Sequence, residues 1–108
     1  MIRVQFRIIS GGEIVGFSVD SHGDKIVCAA VSALTINTIN SIEWLAHTDF
    51  SCECENERFI DFYLTDEADA NARLLLESLR LGLRAIADEY PKDLIIEEIS
   101  VSVKRGAL

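Results

Sequence analysis

Ile26 to Ala46 contains neither proline nor glycine, and within it Val27, Val31, Leu34, Ile42 and Leu45 recur at helical spacing. One long helix is the simplest structure for such a stretch, and the rest of the chain is arranged around it. Upstream, Ile2, Val4, Phe6 and Ile8 alternate with Arg3, Gln5 and Arg7, the period of two of a half-buried strand. Ser10-Gly11-Gly12 reads as a turn into a second strand, Glu13 to Val19, so a hairpin opens the fold. A polar loop from Asp20 to Asp24 then leads to the helix. Asp24 is placed to cap it, its carboxylate accepting from amides of the first turn. The helix begins apolar nearly all round, from Ile26 to Val31, which predicts burial of that end.

Two short alternating runs, about Phe50 to Glu55 and Arg58 to Leu64, separated by Glu55-Asn56-Glu57, predict a second hairpin. Thr65 or Asp66 is expected to cap a second helix reaching about Glu89. Its apolar stripe is Leu75, Leu76, Leu79, Leu83, Ile86 and Tyr90, with Arg73, Glu77, Arg80 and Arg84 solvated opposite. Pro91, the chain's single proline, stops it. A last strand is predicted from Leu94 to about Val103, and its unbroken apolar start, Leu94-Ile95-Ile96, suggests cover on both faces. The order β-β-α-β-β-α-β predicts an α+β fold, two helices packed on a mainly antiparallel sheet. At 108 residues, without repeat or linker, the whole of 1–108 is read as one domain.

Ten Lys and Arg against eighteen Asp and Glu leave a net charge of −8. Phosphate backbones are repelled by such a chain and basic partners attracted, so direct nucleic-acid binding is not expected. No apolar run approaches the roughly 20 residues of a membrane span. The alternating N-terminus does not have the pattern of a signal peptide, and a cytoplasmic globular domain is the expectation. Cysteines stand at 28, 52 and 54, an odd count that argues against a disulfide framework. Cys52 and Cys54 would share one face of a strand. With His47 and His22 they make four ligands of the kinds zinc accepts, but their spacing is not that of a C-x-x-C knuckle. No metal and no other cofactor is therefore expected. His47 is more simply a cation complementing the end of the first helix, and Trp44 a core or dimer contact.

Chemistry is concentrated around Cys28. It falls in the first turn of the helix, six residues after the loop histidine His22. The positive end of a helix favours a thiolate, the nucleophilic form, and first-turn amides can donate to a developing oxyanion. His22 folded back over the helix end would complete an imidazolium–thiolate pair. Ser32 stands one turn beyond Cys28 on the same face, and Asp20 and Asp24 are both close enough in sequence to orient His22. Each residue also has a plain structural reading: Cys28 as helix packing, Ser32 bonded to the carbonyl four residues back, Asp24 as a cap. Spacing alone leaves both open.

The stretch Ser21-His22-Gly23-Asp24-Lys25-Ile26-Val27-Cys28-Ala29-Ala30-Val31-Ser32-Ala33-Leu34 closely resembles the signature of the ribosomal-processing cysteine protease family, Prp (YsxB-like). That signature is a Gly-His-Ala-type loop, a variable insert, and a helix start of the form Asp-Ile-Val-Cys-Ala-Ala-Val-Ser. The resemblance puts Cys28 on the family's nucleophile, His22 on its histidine and Ser32 on its helix serine. This chain departs from the pattern in having Ser21 for the usual glycine and Gly23 for the usual alanine, the latter restoring backbone freedom to the loop. Its acid falls at Asp24, with Lys25 where many members place an aspartate.

What the resemblance implies is a cytoplasmic, homodimeric endopeptidase with a mobile histidine loop. Its substrate would be large-subunit ribosomal protein twenty-seven, from which it would remove a short N-terminal extension ending in aromatic residues. The alternative is a catalytically weak or inactive dimeric module of the same shape that binds a ribosomal protein without cutting it.

Overall fold

The computed structural model describes residues 1–55 and 58–102. Strands β1 (Ile2–Ile8) and β2 (Ile14–Asp20) form the first hairpin, and α1 (Lys25–Leu45) follows. Strands β3 (Phe50–Glu55) and β4 (Phe59–Leu64) form the second, and α2 (Ala70–Glu89) leads to β5 (Leu94–Ser100). The five strands lie in the order β3-β4-β2-β1-β5. All neighbours are antiparallel except β1 and β5, so the sheet is mixed and mostly antiparallel. Asn56, Glu57 and the expected strand end at Val103 lie outside the described residues.

Both helices cover one face of this sheet, and the period-two pattern decides which side chains they meet. Ile2, Val4 and Phe6 of β1, Phe17 and Val19 of β2, and Ile60 and Phe62 of β4 are buried beneath them. Phe17 and Phe62 stack with ring centroids 4.9 Å apart, and Phe50 brings the edge strand into the cluster at 5.0 Å from Phe62. Val27, Val31 and Ile42 descend from α1, and Ala72, Leu76, Leu79 and Leu83 from α2. Each large side chain buried in this way stabilises the fold by roughly 1.5–3 kcal/mol. Thr35 and Thr38 are buried as well, and their hydroxyls donate to the Val31 and Leu34 carbonyls of their own helix. The two helices approach closely at Gly82, where a Cβ would stand 2.9 Å from Leu34 Cδ1.

Four expectations need correction. Helix α2 starts at Ala70 and its cap is Asp69, not Thr65 or Asp66. Thr48 Oγ1 receives the Asp69 amide and Ala68 is buried, so the segment before the helix is held against the end of α1. The first turn of α1 is not buried all round: Val27 and Val31 face the core, while Ile26 is 75% exposed and Ala29 faces solvent. The sheet and α2 flank α1 on limited sides, which leaves an apolar stripe uncovered. Trp44, 81% exposed, is not a core residue. Finally, β5 is an edge strand covered on one face, since it pairs with β1 alone and Ile95 and Ile99 remain partly open. Taken whole, α1 is long and apolar enough, by length and composition alone, to cross a membrane. Here it packs by Val27, Val31 and Ile42 as the core helix of an α+β layer.

Candidate active site

Strand β2 ends at Asp20, whose Cα is in register with Arg3 of β1 on one side and Phe59 of β4 on the other. The loop that follows has only four residues, Ser21 to Asp24, before α1 begins. So short a link puts His22 and the first turn of the helix at the same corner of the molecule. The far end of the β3–β4 hairpin completes the corner, because the Ser21 amide donates to the Arg58 carbonyl at 2.7 Å.

Asp24 is the cap of α1. Its carboxylate accepts from the amides of Ile26 and Val27 at 2.9 and 3.1 Å, and its carbonyl from the Cys28 amide at 2.8 Å. The expectation that first-turn amides are available to an oxyanion is therefore corrected for these three. Cys28 is the fourth helical residue, where the regular helical hydrogen bonds begin, and the cap consumes the two amides before it. Both amides bond Asp24 Oδ1, and among the described residues no hydrogen bond joins Asp24 to His22.

Cys28 is half-buried, and its thiol donates to the Ser21 carbonyl at 3.5 Å. His22 is exposed, with Nδ1 against Asp20 Oδ1 and Nε2 3.4 Å from an Arg58 guanidinium nitrogen. A guanidinium only donates, so Nε2 is the acceptor and the ring proton sits on Nδ1, donated to Asp20. Among the described residues no hydrogen bond joins Cys28 to His22: the thiol turns to Ser21 and the imidazole to Arg58.

The two residues nevertheless face one cavity. An open cleft of about 500 Å³ is lined by Ser21, His22, Gly23, Lys25, Cys28, Ala29, Ser32 and Arg58. Of the residues singled out around the first turn of α1, Ser21, His22, Gly23, Cys28 and Ser32 open on it, and Asp20 and Asp24 do not. Gly23 does not provide backbone freedom there, for Gly11 and Gly12 are the described glycines with positive φ. Its role is spatial: a Cβ on Gly23 would stand 3.1 Å from Ile2 Cγ1. Arg58 was not legible in the sequence. It is 36 residues from His22, in a hairpin turn without a motif, and only the β2–β4 pairing brings it to the loop.

Cys52 and Cys54 do not line this cleft; they lie on the edge strand β3, in register with Phe62 and Ile60 and both exposed. Partial burial pushes the Cys52 thiol up, helped by neighbouring Cys54, Asp61 and Glu53. Such a thiol is a poorer nucleophile at neutral pH. Among the described residues no three His, Cys, Asp or Glu side chains converge as metal ligands would.

Comparison with known proteins bears on the chain as a whole. Residues 1–95 match the model of the family described as cysteine protease Prp. The ribosomal processing cysteine protease Prp of Staphylococcus aureus is 26% identical over 102 residues, spanning 87% of this chain and 95% of that protein. Among solved structures, an essential ribosomal processing protease Prp from S. aureus, in complex with a covalently linked product peptide, superposes with a TM-score of 0.86. It is 23% identical over 92% of this chain and 100% of its own. SMU.848 from Streptococcus mutans superposes with a TM-score of 0.78 at 23% identity, over 94% of this chain and 99% of its own. A family model that covers all of the fold through the start of β5, together with the shared architecture, leads to one conclusion: the chain belongs to the Prp family of cysteine proteases.

Proposed function

We propose that this protein is a cytoplasmic endopeptidase of ribosome maturation that removes the N-terminal extension of large-subunit ribosomal protein twenty-seven, using Cys28 and His22. The observation that carries the reading is the shared cleft: a thiol on the first turn of a capped helix opens on the same hollow as a loop imidazole. The names of the relatives, ribosomal processing proteases, support the substrate class.

In the reaction His22 turns from Arg58 to the thiol and takes its proton on Nε2. The Cys28 thiolate then attacks the scissile carbonyl, and the C–N bond breaks as His22 returns the proton to the leaving amine. A thioester remains on Cys28. Water, deprotonated by His22, cleaves it to a carboxylic acid and restores the thiol. Ser32 and the Arg58 guanidinium line the cleft as side-chain donors for the oxyanion, in place of the amides that Asp24 holds. The net charge of −8 favours encounter with a basic ribosomal substrate, so kcat/KM is expected to fall markedly with added salt, and a flat profile would remove that argument. A homodimer is part of the same reading. Exposed Ile26 and Trp44, five helical turns apart on one side of α1, support it, and sedimentation at micromolar concentration tests it.

The deciding experiment is cleavage of the precursor ribosomal protein, followed by mass spectrometry, with Cys28→Ala and His22→Ala beside the wild type. One cut after the aromatic residues, made by the wild type alone, is the expected result. Binding without cutting by all three would replace the protease by the inactive module.

A further inference from the structure

We infer that Asp20 is the positioning residue of this active site, holding His22 as the Nδ1–H tautomer with Nε2 open to the Cys28 thiol; the inference rests on the proposed Cys28–His22 chemistry. Two aspartates flank the histidine in sequence, and the fold gives them different work. Asp24 is engaged with the amides of Ile26 and Val27, whereas the Asp20 carboxylate contacts His22 Nδ1. Asp20 is also better anchored than the histidine it contacts. It is the last residue of β2, in register with strands on both sides, whereas His22 lies in the loop. The ring is thus tethered through Nδ1 to a rigid sheet position and can pivot about that tether from Arg58 toward the thiol.

The charges around the ring fit this role. Asp20 faces it from β2 and Arg58 from the β3–β4 turn; Glu55 lines the hollow on the Arg58 side and Lys25 the cleft on the Cys28 side. The Arg58 guanidinium can only donate toward Nε2 while the ring rests there, and the Asp20 carboxylate can only accept from Nδ1. Only the second contact persists through the pivot. As a half-exposed surface contact, the Asp20–His22 pair contributes little to folding.

The test compares Asp20→Asn and Asp20→Glu with the wild type, all carrying Cys52→Ser and Cys54→Ser so that Cys28 is the sole thiol. Cleavage by Asp20→Asn should show kcat reduced by roughly 10²-fold with KM within about twofold, and Asp20→Glu should recover part of the loss. Its melting temperature should stay within about 3 °C of the parent. Substrate-free alkylation of Cys28 by iodoacetamide at pH 6 should slow in Asp20→Asn, whereas in a His22→Ala background Asp20→Asn should slow it no further. An unchanged kcat, or a loss that multiplies with that of His22→Ala, overturns the role of Asp20 and leaves the dyad standing. Alkylation that ignores His22 altogether overturns both.

Discussion

At the start of α1 the Asp24 carboxylate accepts from the amides of Ile26 and Val27; at the start of α2 the Asp69 carboxylate accepts from Ala72 and, across a gap of 22 residues, from the amide of His47. Both helices are therefore entered through an aspartate cap, but the surroundings differ. The α2 end is closed by the chain leaving α1, with Thr48 and Ala68 buried against it. The α1 end is left open, and its first turn carries a half-buried thiol on an open cleft of about 500 Å³. A capped helix end is thus not by itself a site. It becomes a candidate where the short loop before it carries an imidazole and the packing stops short of covering it.

The comparison can be broken at several points. The largest effect is expected at the open end. Cys28→Ala should lower cleavage by 10³-fold or more, whereas Cys54→Ala should stay within about twofold of wild type, both measured on the precursor protein. At the closed end the effect is on stability. Hydrogen bonds from the Ala72 and His47 amides hold the Asp69 carboxyl below the usual aspartate range. A carboxyl lowered in the folded state stabilises at pH values above its unfolded range, and that stabilisation is lost as pH falls through the folded value. Asp69→Asn should accordingly melt several degrees below wild type at pH 7, with the gap shrinking on acidification below about pH 4. A gap that persists unchanged at pH 2 would mean the carboxylate charge is irrelevant there. Asp24→Ala removes a cap that joins no second element, so it should cost about 1 kcal/mol by denaturant titration. The smallest effect separates the two strand thiols. Because partial burial and its neighbours push Cys52 up, iodoacetamide at pH 7.5 should label Cys54 severalfold faster, as read by peptide mapping.

The sequence by itself determined the seven elements and their order, and it singled out His22 and Cys28 as the candidates for chemistry. Period-two runs such as Ile2-Val4-Phe6 and the helical spacing of Val27, Val31 and Ile42 are local signals, since side-chain direction follows from backbone geometry alone. His22 and Cys28 were legible for the same reason, being six residues apart in one loop–helix junction. Tertiary structure decided what lies outside that range. The start of α2 moved to Ala70 because Asp69 finds its second donor, the His47 amide, at the end of the preceding helix. Ile26 and Trp44 stayed exposed because burial depends on which neighbours cover a helix, and periodicity does not encode neighbours. Arg58 reached His22 through the β2–β4 pairing, a contact between residues 36 positions apart. The different contacts of Asp20 and Asp24 come from the same level. Both stand two residues from His22, so spacing cannot separate them; one ends a strand and contacts the imidazole, and the other caps the helix it begins.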